Sequence, residues 1–221
     1  MALSIVCCTT SILSCIDYLL QPRCVSFRHP RDISNRLTCT LFQFYIVVYC
    51  IWNLLTIVST EKKNAYHHDI HPFTRMAEQR LIGYFLYDTL VLLSTERGRR
   101  NATYLIHHAI SVLILAINSF YPCGTDALHN SIIVLLEGSS PFLNLWKVSY
   151  NINPLSFDTY LLHRIASMLY YVFRIVGMTM WLFVYGTGYF RFTWNHLITM
   201  GGFGTIYMAS LHWFRQLVKK Q

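Results

Sequence analysis

Residues 104–121, YLIHHAISVLILAINSFY, and residues 127–151, ALHNSIIVLLEGSSPFLNLWKVSYN, are the two runs whose reading decides the fold. Each is long and apolar enough to cross a bilayer, which takes about 20 residues of helix. Each also carries polar groups near its middle. An ionisable side chain there costs roughly 2.5–3.5 kcal/mol on insertion scales, so it marks a packed or functional interior site. Asn130, Glu137, Asn144 and Asn151 recur every seven residues and share one helix face. Tyr104, His107, His108, Ser111 and Asn118 share a face on the preceding run. Two facing polar stripes predict a lined cavity between helices. The competing reading is a set of interhelical hydrogen bonds that only hold the bundle together.

The remainder of the chain follows the same pattern. Of 221 residues, 54% are hydrophobic and only 13% charged, which excludes disorder. Apolar runs at 2–20, 38–58, 78–95, 160–186 and 194–215 join the central pair, giving about seven spans. The runs are too long for barrel strands, so the expected fold is all-α, a polytopic transmembrane helix bundle. Residues 21–37 read as a basic loop, broken by Pro22 and Pro30. A first span with its loop, 1–35, then precedes a core of six spans, 36–221. On the last run Gly201, Thr205 and Ala209 form a small-residue ridge expected to pack on a neighbour.

The net charge of +8 belongs to loops, and no nucleic-acid-binding motif accompanies it. Seven spans place Arg23, Arg28, Arg31, Arg36, Arg97, Arg99, Arg100, Lys147, Arg215, Lys219 and Lys220 on one side. The positive-inside rule makes that side, with the C-terminus, cytoplasmic. None of the seven cysteines forms a CxxC pair. Cys24, close to a membrane face, is a weak candidate for acylation. His67, His68, Asp69 and His71 crowd one loop, but Pro72 breaks it and no second ligand cluster lies near. We read that loop as polar rather than metal-binding, and expect no metal.

Depth follows from a rise of about 1.5 Å per residue. Asp88, His107, His108 and Asn144 fall at one level, roughly 10 Å inside the cytoplasmic boundary. Glu137 and Arg174 fall roughly 20 Å in and are expected to pair. Pro141 cannot donate to the Glu137 carbonyl, so a break in the helix is expected there. The result is a pocket with a His pair near its mouth and a Glu–Arg pair at its floor, suited to a lipid or acyl chain.

The strings LIHHAISVLILAINSFY, LLEGSSPFLNLWK and YYVFRIVGM, with Asp88 upstream, resemble the TLC-domain family, most closely its small members and over about residues 36–215. That family includes ceramide synthases and translocating-chain-associated membrane proteins. The resemblance implies a lipid-handling role, membrane lipids as partners and the endoplasmic reticulum as location. It implies acyl-CoA as a co-substrate, with no bound cofactor. Catalytic candidates are His107, His108 and Asp88; substrate-contact candidates are Glu137, Asn144, Arg174, Ser111 and Tyr170. Where ceramide synthases carry paired Asp residues, this chain has Glu137-Gly138-Ser139-Ser140, and Gln43 stands where small members often have His. The family also includes members acting in trafficking, so the alternative is a non-catalytic protein that binds lipid or escorts protein cargo.

Overall fold

The computed structural model describes residues 2–27, 29–60, 72–94, 102–120, 127–189 and 194–219. Among these the chain forms seven helical rods and no strand. α1 spans Ala2–Leu20 and α2 spans Pro30–Thr60, with a 3-10 turn, Gln21–Cys24, between them. α3 is Pro72–Ser94 and α4 is Ala102–Phe120. α5, Ala127–Leu135, runs through a 3-10 turn at Leu136–Ser139 into α6, Ser140–Ile152. α7, Phe157–Tyr170, passes through a π-helical turn at Tyr171–Gly177 into α8, Met178–Val184. α9 is Trp194–Val218.

Four rods are long and apolar enough to cross a membrane: Leu3–Cys24, Pro30–Thr56, Ala102–Phe120 and Phe157–Thr187. The other three complete the bundle at lower hydropathy. α3 carries Arg75, Glu78, Arg80 and Asp88. The fifth rod is divided by its 3-10 turn, and α9 is diluted by His196 and three glycines. The exposed surface is apolar, with Leu3, Ile12, Trp52, Leu90, Phe183 and Met208 facing outward as lipid-facing side chains do.

Successive rods run antiparallel. One end of the bundle therefore collects the starts of α2 and α4 with the ends of α3, α6 and α9; we call it the near end. α1 packs along α3, where a Cβ on Gly83 would lie 2.7 Å from the Val6 carbonyl oxygen. Only glycine admits that approach, and the Thr10 hydroxyl uses it to donate to the Gly83 carbonyl at 3.0 Å. Asp17 is buried against Ser34 of α2, whose hydroxyl donates to it.

Several expectations are corrected. The stretch 21–37 is not one loop. α2 starts at Pro30, because proline is well suited to the first helical turn and Asp32 complements the helix dipole there. α2 runs unbroken from Pro30 to Thr60. Cys24 is buried, which removes it as an acylation site. The ridge of Gly201 and Thr205 faces outward, the Thr205 hydroxyl bonding back to the Gly201 carbonyl at 2.9 Å. α9 is instead rotated so that Gly202 meets Ile110 and Ile114 of α4, with Phe203, Ile206 and Ser210 buried. The His67–His71 cluster lies outside the described residues.

Candidate functional site

The break expected at Pro141 is the 3-10 turn Leu136–Ser139, with the proline in the first turn of α6. Opposite it sits the π-helical turn Tyr171–Gly177, which carries Arg174 at its centre. Single π turns concentrate at functional sites because they re-aim one side chain without ending the helix. Here the two irregular turns pack on each other, and a Cβ on Gly138 would touch the Phe173 ring at 3.1 Å. Arg174 and Glu137 form a buried ion pair across this contact. Ser140 donates to Glu137 Oε2 at 2.9 Å, so the carboxylate is held from two sides.

His107 and His108 lie on α4 above this pair, both buried. Adjacent helical residues point about 100° apart, and the two rings accordingly have different surroundings. His108 turns toward α3: its Nδ1 is 3.0 Å from the Thr89 hydroxyl and its Nε2 is 3.5 Å from Asp88 Oδ2. Asp88 is itself oriented by Asn35, which donates to its other oxygen at 3.1 Å. His107 turns inward, with Nε2 3.9 Å from Glu137 Oε1 and its ring edge-on to Phe85 and Trp213. Its Nδ1 is buried and, among the described residues, has no hydrogen-bond partner.

A cavity of about 570 Å³ opens at the near end and brings these groups together. Asp88, His107, His108, Glu137, Asn144, Tyr170 and Arg174 all line it. Ser111 does not. It lines a small apolar chamber of about 30 Å³ just below, shared with His107, Glu137 and Arg174 and walled by Leu81, Ile114, Ile133 and Phe203. Tyr170 is anchored from its hydroxyl to the Ser210 carbonyl at 3.3 Å.

Sequence reasoning passed over the residues that frame the cavity wall. Gln43, on α2, donates to the Tyr84 hydroxyl at 2.7 Å and accepts from Asn144 at 3.0 Å. Arg36 donates to Asn144 at 3.2 Å and pairs with Asp32 at 3.1 Å, while Asn151 donates to Asp32 at 3.0 Å. Asn144 and Asn151 thus dock α6 on α2 along the cavity rim. The seven-residue stripe was visible; Asp32 and Arg36 were not, because they lay in the stretch read as a loop, and Gln43 stood out only as a departure from a family pattern. Among the described residues no cluster of three or more His, Cys, Asp or Glu could hold a metal ion.

A search of curated proteins finds no match to this chain. A family model, described as the TLC domain, matches residues 32–219. That covers most of the chain, from the start of α2 to the end of α9, and the protein belongs to the TLC-domain family.

Proposed function

We propose that this TLC-domain protein handles membrane lipids in the cavity at its near end, transferring an acyl group from acyl-CoA to a lipid acceptor. The observation that supports it is the confluence of His107, His108, Asp88 and the Glu137–Arg174 pair on one 570 Å³ cavity with an apolar chamber beneath. His107 is the reacting base. With its Nε2–H directed at Glu137, the unpartnered Nδ1 lone pair accepts the proton of the acceptor amine or hydroxyl. The acceptor oxygen or nitrogen forms a bond to the thioester carbonyl carbon, the C–S bond breaks, and the imidazolium returns its proton to the departing thiolate. His108 and Asp88 position the acceptor edge of the site, and Arg174 holds Glu137 in place.

The near end faces the cytoplasm in this reading, in the endoplasmic reticulum, since the basic loops collect there. A glycosylation tag inserted after Gly98 stays unmodified and one near Lys63 becomes modified; the reverse pattern would turn the cavity to the lumen and remove cytoplasmic acyl-CoA as donor.

The deciding assay uses purified protein with acyl-CoA and a panel of lipid acceptors. His107→Ala abolishes turnover while the protein remains folded and inserted. Turnover that survives both His107→Ala and His108→Ala sinks the acyl-transfer reading. One observation favours lipid binding or cargo escort without chemistry: both ring nitrogens of His108 already face protein groups, Thr89 and Asp88. In that case the wild type shows no turnover, and cellular lipid profiles still change when the protein is removed.

A further inference from the structure

The rim of the cavity has a charge distribution that acyl transfer does not require. Lys147 on α6 is half-buried at this rim, and its Nζ lies 3.4 Å from the Tyr104 hydroxyl and 5.4 Å from the centre of the Tyr104 ring. Among the described residues no carboxylate forms an ion pair with it. A half-buried ammonium whose hydrogen bond goes to a phenol, with Asp32 acting on it only at a distance, is incompletely compensated. Arg36 and Arg31 line the same cavity, whose carboxylates are Asp32, Asp88 and Glu137, the last paired with Arg174. Asp32 is already shared between Arg36 and Asn151. With the Glu137–Arg174 pair set aside, three cations thus face two carboxylates, of which Asp88 is engaged by Asn35 and His108.

Tyr104 is braced for this task. Its ring stacks on Trp213 of α9, with centroids 4.8 Å apart, so two elements hold Lys147's only described contact in place. The groups then run in order from the cationic rim to the polar belt of His107, His108 and Glu137, along an apolar wall of Phe85, Val91, Leu92, Leu143 and Leu217 in the same cavity. An amphiphile fits that order when its head is anionic and its tail is hydrocarbon. A basic pocket between helices at a membrane face is suited to phosphate-bearing head groups, because one phosphate offers several oxygens to several cations at once. A single carboxylate would leave part of the rim uncompensated.

We infer that the rim is a binding site for a phosphate ester carried on an amphiphile, with Lys147 and Arg36 as its charged contacts and Arg31 as an outer one. This rests on reading the cavity as a lipid site but not on acyl transfer taking place there. The shared chemistry has two sources, an acyl-CoA or a phospholipid head group, and the test separates them.

The experiment titrates the full chain in a non-ionic detergent with lysophosphatidic acid, with an acyl-CoA of the same chain length, and with a phosphate-free monoacylglycerol. The wild type binds at least one phosphate-bearing amphiphile about tenfold or more tighter than the monoacylglycerol. Lys147→Gln loses most of that preference and leaves monoacylglycerol binding unchanged, and Lys147→Arg restores it. Preference for acyl-CoA alone assigns the site to the donor; preference for lysophosphatidic acid alone assigns it to a phospholipid. Arg31→Gln, at an exposed position that folding does not depend on, lowers the preference by a smaller factor, about twofold, and serves if Lys147→Gln does not fold. Equal affinity for all three ligands, or an unchanged preference in Lys147→Gln, overturns the proposal. Absence of acyl transfer in the same preparation leaves it standing and removes only the acyl-transfer reading.

Discussion

The near and far halves of the bundle use the same polar residue types to different ends. In the far half, Asn53 of α2 donates to Thr74 of α3 at 2.8 Å and to Ser131 of α5 at 3.1 Å. Gln79 of α3 donates to Ser119 of α4 at 3.2 Å. These groups close the seams between four rods directly. In the near half, Asn35, Gln43, Arg36 and Asn144 bond laterally around the wall and leave space between them. A buried polar residue in a membrane bundle is therefore not a site in itself. It becomes one where the bonds run around a void instead of across it. Glu78 departs from the far-half pattern: it is fully buried and, among the described residues, neither oxygen has a hydrogen-bond partner. We have no physical account of it.

Breaking the floor of the near half carries the largest effect. Glu137→Ala leaves Arg174 buried and uncompensated, and we expect a loss of about 3–5 kcal/mol in unfolding measured in detergent. The double variant Glu137→Gln with Arg174→Gln should be milder, since no charge is stranded. Single variants as stable as the double would mean the pair contributes nothing to the floor.

The seams of the far half come next. Asn53→Leu removes two interhelical hydrogen bonds, each worth about 0.6 kcal/mol on average within a membrane. Thermal unfolding should drop by an amount near that sum, and lipid binding in the cavity should not change. A change in binding without a change in stability would dissolve the distinction between the halves.

The wall around the void sharpens the comparison in the opposite sense. Asn35→Ala frees Asp88 from its bond to α2. Stability should fall by about 1 kcal/mol or less, while lipid turnover or binding falls by a larger factor because Asp88 no longer holds its place beside His108. The smallest effect is outside both halves. Gly201→Leu faces open space and should lie within about 0.5 kcal/mol of wild type, whereas Gly202→Leu would collide with Ile114.

Much of this was legible in the sequence, for reasons that differ by residue. Glu137 and Arg174 were matched by depth, because helix rise is constant and the membrane sets a common origin. The break at Pro141 was legible because a missing donor has one local consequence. The start of α2 was not, since a stretch with four arginines and two prolines has the composition of a loop and only the capping chemistry around Pro30 argues otherwise. The packing face of α9 was misread because apolar residues surround that helix on all sides in the sequence, and small residues alone do not fix its rotation. Gln43 stood out as a departure from a familiar pattern. Its use as the bridge from Tyr84 to Asn144 required knowing which rods touch.

The π-helical turn at Tyr171–Gly177 holds one residue more than a regular helix would need to present the same faces. Above it Ala166 and Tyr170 face the core, and below it Met178, Trp181 and Tyr185 do. Steps of four residues from Ala166 through Arg174 to Met178 stay on one face only because the backbone winds more widely across the turn. In an ordinary α-helix each such step drifts about 40°. Closing the turn into a regular helix with all seven residues kept would rotate everything after it by about 100°. Met178, Trp181 and Tyr185 would leave the core together, Trp181 parting from Phe203, on which it stacks at 4.2 Å. Deleting one residue between Arg174 and Met178 instead restores regular winding with Met178, Trp181 and Tyr185 still toward the core and swings Arg174 off that face, so the spare residue serves the ion pair with Glu137 and not the packing of the rod.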